Sequence, residues 1–415
     1  MPFSAIPPIH RPAGRSAMLA AALAASLAAA LLAAGCERAK NVTAAEEAGS
    51  RRGAYGKPGG ETRLPARELD TDSLKNMTGL LAGTTPPGTE LSPVWALHRA
   101  EMEKLFARIA PRYDALAGWG GRELVRLPAS EAPVFYPFGG PDLLAASSLF
   151  PAASSYLLVG LAAPGRLPMP EDTASDALEG DLARLRKLFA SLAESGSISP
   201  AEIEQELSGG HFDGILPILL IALARSGQVP EAVQYLRLED SSGQLAGIEP
   251  PSVSAGAVRI LFRPAAGEGR VRSVFYFAQD LSNDAVFPDA PFSRMVERLG
   301  TINTLVRSGE YLLHTDAFSN LRRLVLDRSQ VVLEDDSGVP LRFLTSDRWA
   351  VDLYGNYEGV SAAYKEWLQA DLAAAYRRAG EARPLPAAYP AAGSACLILA
   401  NRKDGSGPAR REIQR

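Results

Sequence analysis

A glycine turn between two apolar runs is the first place in the sequence where backbone and side chains could do chemistry. Gly139-Gly140-Pro141-Asp142 follows the strand-like run 134–138 and opens a helix-like run. Ligands of open α/β sheets bind where strands end and helices begin, and the N–H groups there favour anions. Gly139 and Gly140 are therefore candidates for cofactor binding, and Asp142 is a candidate for catalysis. In the alternative interpretation the glycines only form a tight turn and Asp142 caps the helix.

His314 and Asp316 form a second candidate catalytic pair. An imidazole beside a carboxylate can transfer protons near neutral pH, and both residues lie where a strand is expected to meet a helix. The alternative is that Asp316 caps the following helix, because side chains so close in sequence often point apart. The sequence has no Gly-x-Ser-x-Gly nucleophile motif to accompany this pair.

Two further polar runs have mainly structural interpretations. The acidic run 334–338 lacks the spacing of a calcium loop and is typical of a hairpin turn with solvated charges. His211 and Asp213 follow two glycines, and they could line a pocket or start a helix. No histidine–cysteine cluster is present, so we predict no metal site, and we predict no cofactor.

The elements that must position the glycine turn are predicted from the apolar runs 134–138 and 156–161. A strand, a turn, a helix and a second strand are the opening of a βαβ unit. This arrangement resembles the first βα turn of Rossmann-like proteins such as methyltransferases. The full G-x-G-x-x-G pattern is absent, and Leu161 is followed by alanines where the resemblance would place a ribose-binding acid. The resemblance implies a Rossmann-like fold with a ligand at this turn.

Hydrophobic periodicity predicts the remaining elements. Helices are expected at 91–110 (ended by a proline), 173–195, from 199, 215–224, 230–236, 292–306, 317–326 and 361–378. Further strands are expected at 123–127, 257–263, 271–279, 311–314, 330–333, 341–344, 349–354 and 396–399. This alternation predicts an α/β fold, a mixed sheet with flanking helices, Rossmann-like, with a helical insertion at about 172–238.

Composition and charge narrow the possible partners. The 415 residues are 47% hydrophobic and 22% charged, as in an ordinary globular protein. A net charge of -4 and a pI near 5.8 argue against nucleic-acid binding, which requires a basic surface. The two cysteines, Cys36 and Cys396, lie far apart in the sequence, and we expect no disulfide between them.

The amino-terminal segment has the organisation of a secretory signal. Arg11 and Arg15 precede an apolar run at 17–34, which is followed by Gly35-Cys36. Small residues directly before a cysteine resemble the lipobox of bacterial lipoproteins. The resemblance implies that signal peptidase II cleaves before Cys36 and that Cys36 then carries the lipid, including palmitate. The protein would thus be attached to a membrane through this anchor.

An uncleaved transmembrane helix is the alternative for this segment, because the run 17–34 approaches the length that spans a bilayer. Its alanine-rich composition and the polar residues after Cys36 favour cleavage. Ala33 occupies the lipobox position where leucine is commoner. In bacterial lipoproteins an aspartate directly after the lipidated cysteine tends to retain the protein at the inner membrane. The residue at this position is Glu37, so we expect the protein to be located at the outer membrane.

These features divide the chain into a signal peptide at 1–35, a flexible tether at 36–67, one α/β domain at 68–380 and an irregular tail at 381–415. The tether has almost no large apolar residues and cannot offset the entropy of ordering. Two functions follow. The first is an envelope lipoprotein whose domain, non-enzymatic or a degenerate enzyme, faces the periplasm and binds a ligand or an envelope protein. The second is a transferase or hydrolase that uses the Gly139–Asp142 turn with His314 and Asp316.

Overall fold

The computed structural model of the protein describes residues 70–403 except 168–176, 197, 208–209, 241, 249–255, 266, 268, 308, 381 and 387–395. The expected signal peptide, the lipidation site Cys36 and the tether lie outside the described residues. In the described part of the chain, no helix combines the length and apolar character needed to cross a membrane.

Ten strands of the described chain form one mixed sheet in the order β4-β3-β5-β6-β2-β1-β7-β8-β10-β9. The strands are β1 (Val134–Tyr136), β2 (Ser155–Gly160), β3 (Gln228–Leu238), β4 (Leu245–Ile248), β5 (Ala257–Pro264), β6 (Arg272–Ala278), β7 (Ile302–Val306), β8 (Ser329–Glu334), β9 (Trp349–Gly355) and β10 (Cys396–Arg402). The central strands β6, β2, β1, β7 and β8 are parallel, whereas the pairings outside them are antiparallel. The expected α/β class with a mixed sheet is therefore confirmed.

Helices cover both faces of the sheet. They are α1 (Thr71–Ala82), α2 (Pro93–Glu123), α3 (Leu143–Leu149), α4 (Leu178–Ser195), α5 (Pro200–Glu206), α6 (Leu216–Arg225), α7 (Pro291–Arg298), α8 (Ser319–Arg328) and α9 (Ala370–Ala379). One apolar core contains the buried side chains of α1 to α6, and a second, on the opposite side of the strands, contains those of α7, α8 and α9. Two cores on either side of a parallel centre make this a doubly wound sheet.

The parallel centre has a point where the winding reverses. When the five parallel strands are numbered by their order along the chain, their order across the sheet is 3-2-1-4-5, as in the Rossmann arrangement. These strands are β6, β2, β1, β7 and β8. The chain leaves β1 towards β2 on one side and leaves β7 towards β8 on the other. In doubly wound sheets the loops on the two sides of such a reversal define a crevice at the carboxyl edge, and here these are the loops after β1 and β7.

The βαβ unit forms as the sequence predicts. Strands β1 and β2 are parallel and in register from Val134 opposite Tyr156. All three residues of β1 are buried, as expected for a central parallel strand covered on both faces. Asp142 caps α3, because its carboxylate accepts a hydrogen bond from the amide of Ala145 at 3.3 Å.

One predicted helical segment is a strand, and a second is a helix only in its first part. Residues 230–236 belong to β3, so the helical insertion ends at Arg225 rather than near 238. Pro230 is tolerated in β3 because it lies at an irregularity in the pairing with β5, where its missing N–H breaks no regular ladder. The predicted helix 292–306 ends at Arg298, and Gly300, with a φ of 74°, turns the chain into β7.

Other predicted strands and helices differ from the structure in type or extent. Residues 311–314 form a 3₁₀ turn and not a strand, because Tyr311 has a φ of 60° that no strand accommodates. The predicted strand 341–344 also contains a 3₁₀ turn. In the predicted strand 123–127, residues 124–127 follow α2 as turns. The predicted helix 361–378 is divided into a 3₁₀ segment, Ala362–Trp367, and α9. The tail supplies β10 between β8 and β9, so the folded region extends past 380.

Helix α2 continues through Pro111, which was expected to end it. Burial of Ile109, Tyr113 and Leu116 holds both halves against the core despite the lost hydrogen bond. We expect P111A to raise the free energy of unfolding by about 1–2 kcal/mol, because it restores an N–H donor at an exposed position. Urea denaturation of the variant measures this, and a loss of stability would contradict it.

Candidate functional site

The glycine turn closes on the end of β2 instead of opening towards a ligand. The amide of Gly140 donates to the carbonyl of Val159 at 2.9 Å, and the amide of Asp142 donates to that of Gly139 at 3.1 Å. A side chain at Gly139 would collide with the Tyr136 ring, so glycine is required there for packing. These amides are engaged within the chain, and the turn lacks the free N–H groups of a phosphate cradle.

Asp142 lies in a buried polar cluster at this turn. Its carboxylate is 3.2 Å from the guanidinium of Arg307, and both side chains are at most 2% exposed. The hydroxyl of Tyr136 also donates to it at 3.2 Å. Burial raises the pKa of Asp142, and the charge of Arg307 acts in the opposite direction. Through Asp142, the cluster links Tyr136 at the end of β1 to Arg307, the first residue after β7. It therefore connects the two sides of the crevice inside the protein.

The space beside Asp142 is apolar and narrow. It is lined by Tyr113, Phe189 and Leu192 among others, and it is too small to hold a water molecule. Arg307 also approaches Gly196, which ends α4 in the left-handed region at a φ of 81°. The helical insertion therefore covers the buried face of this cluster.

Gly196 provides a direct test of that packing. An alanine there would be strained at a φ of 81°, and its Cβ would collide with the guanidinium of Arg307. We expect G196A to destabilise the protein by about 2–3 kcal/mol. G180A is the matched control, because Gly180 is exposed inside the same helix and alanine should add about 1 kcal/mol there. Equal effects of the two substitutions in denaturation curves would contradict the packing argument.

The structure does not join His314 to Asp316. His314 is buried in the 3₁₀ turn Leu312–His314, whereas Asp316 is exposed and its side chain caps no helix. Burial, followed by the charge of Arg342, lowers the pKa of His314 to about 4. The imidazole is thus neutral at physiological pH. Its ring contacts are with Tyr311, at 5.1 Å between centroids, and Trp367, at 5.8 Å.

The acidic run that begins at the last residue of β8 is buried, which contradicts the expected solvated hairpin. Glu334 is fully buried, and Asp335 and Asp336 are 7% and 3% exposed. Tyr311 donates its hydroxyl to the carboxylate of Asp336 at 2.6 Å. The amide of Val339 donates to Oε2 of Glu334 at 2.7 Å, while Oε1 has no hydrogen-bond partner within the described residues. Burial raises the pKa of Glu334 well above its usual value.

Backbone strain concentrates at the crevice. Among the described residues, four other than glycine have positive φ: Phe138 (63°), Asp289 (72°), Glu310 (50°) and Tyr311 (60°). Three of the four lie in the loops after β1 and β7. Side chains in this conformation cost free energy and persist where the surrounding structure enforces them, often at binding sites.

An imidazole–carboxylate contact occurs elsewhere, between residues that the sequence does not connect. Nδ1 of His211 is 2.5 Å from Oδ2 of Asp181, and Arg184 pairs with the other oxygen of that carboxylate. Gly210 allows the approach, since a side chain there would collide with Asp181. Asp181 lies on α4, 30 residues before His211, and no local signal could have paired them.

Within the described ranges, no group of three or more histidine, cysteine or acidic side chains is arranged to hold a metal ion. No protein-family model matches the sequence, and no curated protein is significantly similar to it.

Proposed function

We propose that this protein is an envelope lipoprotein, anchored through Cys36, whose α/β domain binds a ligand or an envelope partner on the periplasmic side of the outer membrane. The anchor is supported by the positive n-region, the apolar run and the small residues before Cys36. The tether from 36 to 67 would connect the lipid to the domain.

The ligand site we propose is the crevice mouth, defined by Phe138, Glu310, Tyr311 and Phe318. The observation that carries the proposal is the enforced left-handed conformation of three of these residues at the reversal of strand winding. Phe138 and Phe318 add half-buried rings in a T-shaped contact at 5.8 Å. Ligands of open α/β sheets bind at this position, and aromatic side chains are common in such sites.

A thermal-shift panel tests the binding role. The mature protein in detergent is heated with S-adenosylmethionine, nucleotides, amines, amino acids and sugars. A ligand at about 100 times its Kd stabilises the folded state by about 2.7 kcal/mol, which raises the melting temperature by several degrees. We expect F138N, which tolerates positive φ but lacks the ring, to abolish the shift. A shift that persists in F138N would remove the crevice mouth as the site.

Lipidation is tested independently by mass spectrometry of the membrane fraction. We expect an amino terminus at Cys36 with diacylglycerol on the sulfur and an additional acyl chain on the nitrogen. C36S should remain uncleaved by signal peptidase II and lose the lipid mass. A wild-type chain that retains residues 1–35, or an unmodified Cys36, would contradict the anchor.

The alternative function, a transferase or hydrolase, is favoured by one observation, the His211–Asp181 contact. Oδ2 of Asp181 contacts Nδ1 of His211, whose side chain is 14% exposed, and a carboxylate at Nδ1 is the arrangement that orients a histidine base. This acid–base pair would replace His314 and Asp316 in that role. A turnover that H211N abolishes, and that H314N retains, would favour the enzyme.

A further inference from the structure

A continuous series of aromatic rings extends from the crevice mouth, and our inference about it depends on the proposed binding role of that mouth. Tyr364 lies 5.0 Å from Tyr311, Tyr311 lies 5.1 Å from His314, and His314 lies 5.8 Å from Trp367, all between ring centroids. Tyr311 and His314 follow β7, whereas Tyr364 and Trp367 belong to the 3₁₀ segment Ala362–Trp367. The outer rings, Tyr364 and Trp367, are half-buried, so part of each remains accessible to solvent.

Buried negative charge lies beneath these rings. The phenol of Tyr311 donates to the Asp336 carboxylate at 2.6 Å. A phenol that donates to a carboxylate gains electron density on its ring, which strengthens the attraction of that ring for a cation. Burial and then Asp336 raise the pKa of Tyr311, so the phenol remains a neutral donor. At the Tyr311 end of the series the Asp336 carboxylate therefore favours positive charge, whereas Arg342 and Arg322 oppose it at His314.

Glu310 adds an accessible carboxylate to the same surface. It is exposed and has a φ of 50°. Glu310 directly precedes Tyr311, whose ring lies 5.0 Å from that of Tyr364. Burial and then the charge of Glu310 raise the pKa of Tyr364, in agreement with this placement. An enforced conformation that holds an exposed acid beside accessible aromatic rings matches the recognition of ammonium groups.

The nearby arginines do not occupy these rings. Arg322 donates to the carbonyl of Leu313 at 2.6 Å and lies 4.4 Å over the ring of Phe343. Arg342 lies over the same ring at 4.9 Å. Both guanidinium groups are thus directed to Phe343.

A second observation points to a missing partner. Nε2 of His314 is buried and has no hydrogen-bond partner among the residues that the structure describes. The side chain is only 7% exposed, and its pKa of about 4 keeps the imidazole neutral, with one nitrogen able to accept a hydrogen bond. Buried polar atoms are normally satisfied, so a donor group supplied by a ligand is a physical explanation for this one.

We propose that the aromatic series beside the crevice mouth binds an organic cation, a quaternary or protonated amine, over Tyr364 and Trp367, with Glu310 of the mouth as its counter-ion. The rings supply cation–π attraction and exclude water from one side of the ammonium group. The carboxylate of Glu310 supplies the charge that fixes its position. A donor on the ligand, such as a hydroxyl, would satisfy His314.

Choline and its neutral isostere 3,3-dimethylbutan-1-ol are the probes that test the proposal. They have the same shape and hydroxyl but differ in charge. We expect choline to bind the mature full-length protein at least tenfold more tightly than the isostere in calorimetric titrations at constant ionic strength. E310Q should weaken choline binding about tenfold, and Y364L should weaken it further, whereas Y364F should retain it. E366Q is the matched control, since it removes an exposed acid from the same 3₁₀ segment.

The outcomes separate this inference from the proposed function. Equal binding of choline and the isostere, lost in Y364L, would overturn the inference that the ligand is a cation. It would still show that a ligand binds at the aromatic series beside the crevice mouth. Choline binding that E310Q and Y364L leave unchanged would overturn the inference, because the cation would bind elsewhere. Absence of saturable choline binding would also overturn it, and the thermal-shift panel with F138N would then decide the proposed function separately.

Discussion

D142N is expected to destabilise the protein by about 3–5 kcal/mol, although it preserves the shape of the side chain and its ability to cap α3. The reason is the buried partner. Arg307 is 2% exposed, cannot lose its proton at physiological pH, and lies 3.2 Å from the carboxylate. Replacement of Asp142 by an amide removes the carboxylate charge that lies beside this buried guanidinium. Chemical denaturation at pH 7 measures the loss.

The double variant D142L/R307M is the control for that interpretation. Removal of both charges leaves apolar side chains of similar volume beside the apolar lining residues Phe189 and Leu192. Replacement of a whole buried pair by apolar groups is often neutral, so the double variant should recover most of the stability lost in D142N. A D142N loss below about 1 kcal/mol would contradict the ion-pair assignment.

Local signals explain which parts of this fold could be predicted. The βαβ unit was predicted because its apolar runs, its glycine turn and the Asp142 cap are all contiguous in sequence. The helix predicted from 199 forms for the same reason, because α5 begins with a capping box of Ser199 and Glu202. In each case the interactions that stabilise the element are made within a few residues, and a sequence records them directly.

The missed strands depend on contacts distant in sequence. β3 is held by pairing with β4 and β5, and β7 by pairing with β1 and β8, so neither has a strong local pattern. Because 292–306 was predicted to be wholly helical, the sequence offered no reason to place Arg307 beside Asp142, which is 165 residues away. The reversal of strand winding, and with it the crevice, was not predictable without β7.

The candidate site shows the same limit. His314 and Asp316 were paired because they are neighbours in sequence, but the turn at Tyr311 buries the histidine and exposes the aspartate. The contact that does form, between His211 and Asp181, links a loop to a helix. Side-chain proximity in this domain is set by tertiary packing, which the order of residues does not record.

E334Q is expected to change how stability depends on pH. Burial raises the folded-state pKa of Glu334 well above the usual 4.5, so between these values the folded protein binds more protons than the unfolded chain. Stability of the wild type should therefore fall as pH rises through this window, by up to about 1.4 kcal/mol per pH unit. Glutamine cannot ionise and removes this contribution.

Urea denaturation from pH 4 to pH 8 compares the two proteins. At pH 4 the protonated carboxyl of Glu334 and the amide of glutamine are both neutral, and the two free energies of unfolding should lie within about 1 kcal/mol of each other. At pH 8 E334Q should be the more stable protein, because the wild type retains a buried carboxyl that favours ionisation in the unfolded chain. A difference that is constant across the range would show that Glu334 ionises equally in both states. Equal ionisation would require a cation beside Glu334 to offset the free-energy cost of burying its charge. The contacts with Val339 and Asp335 do not supply such a cation.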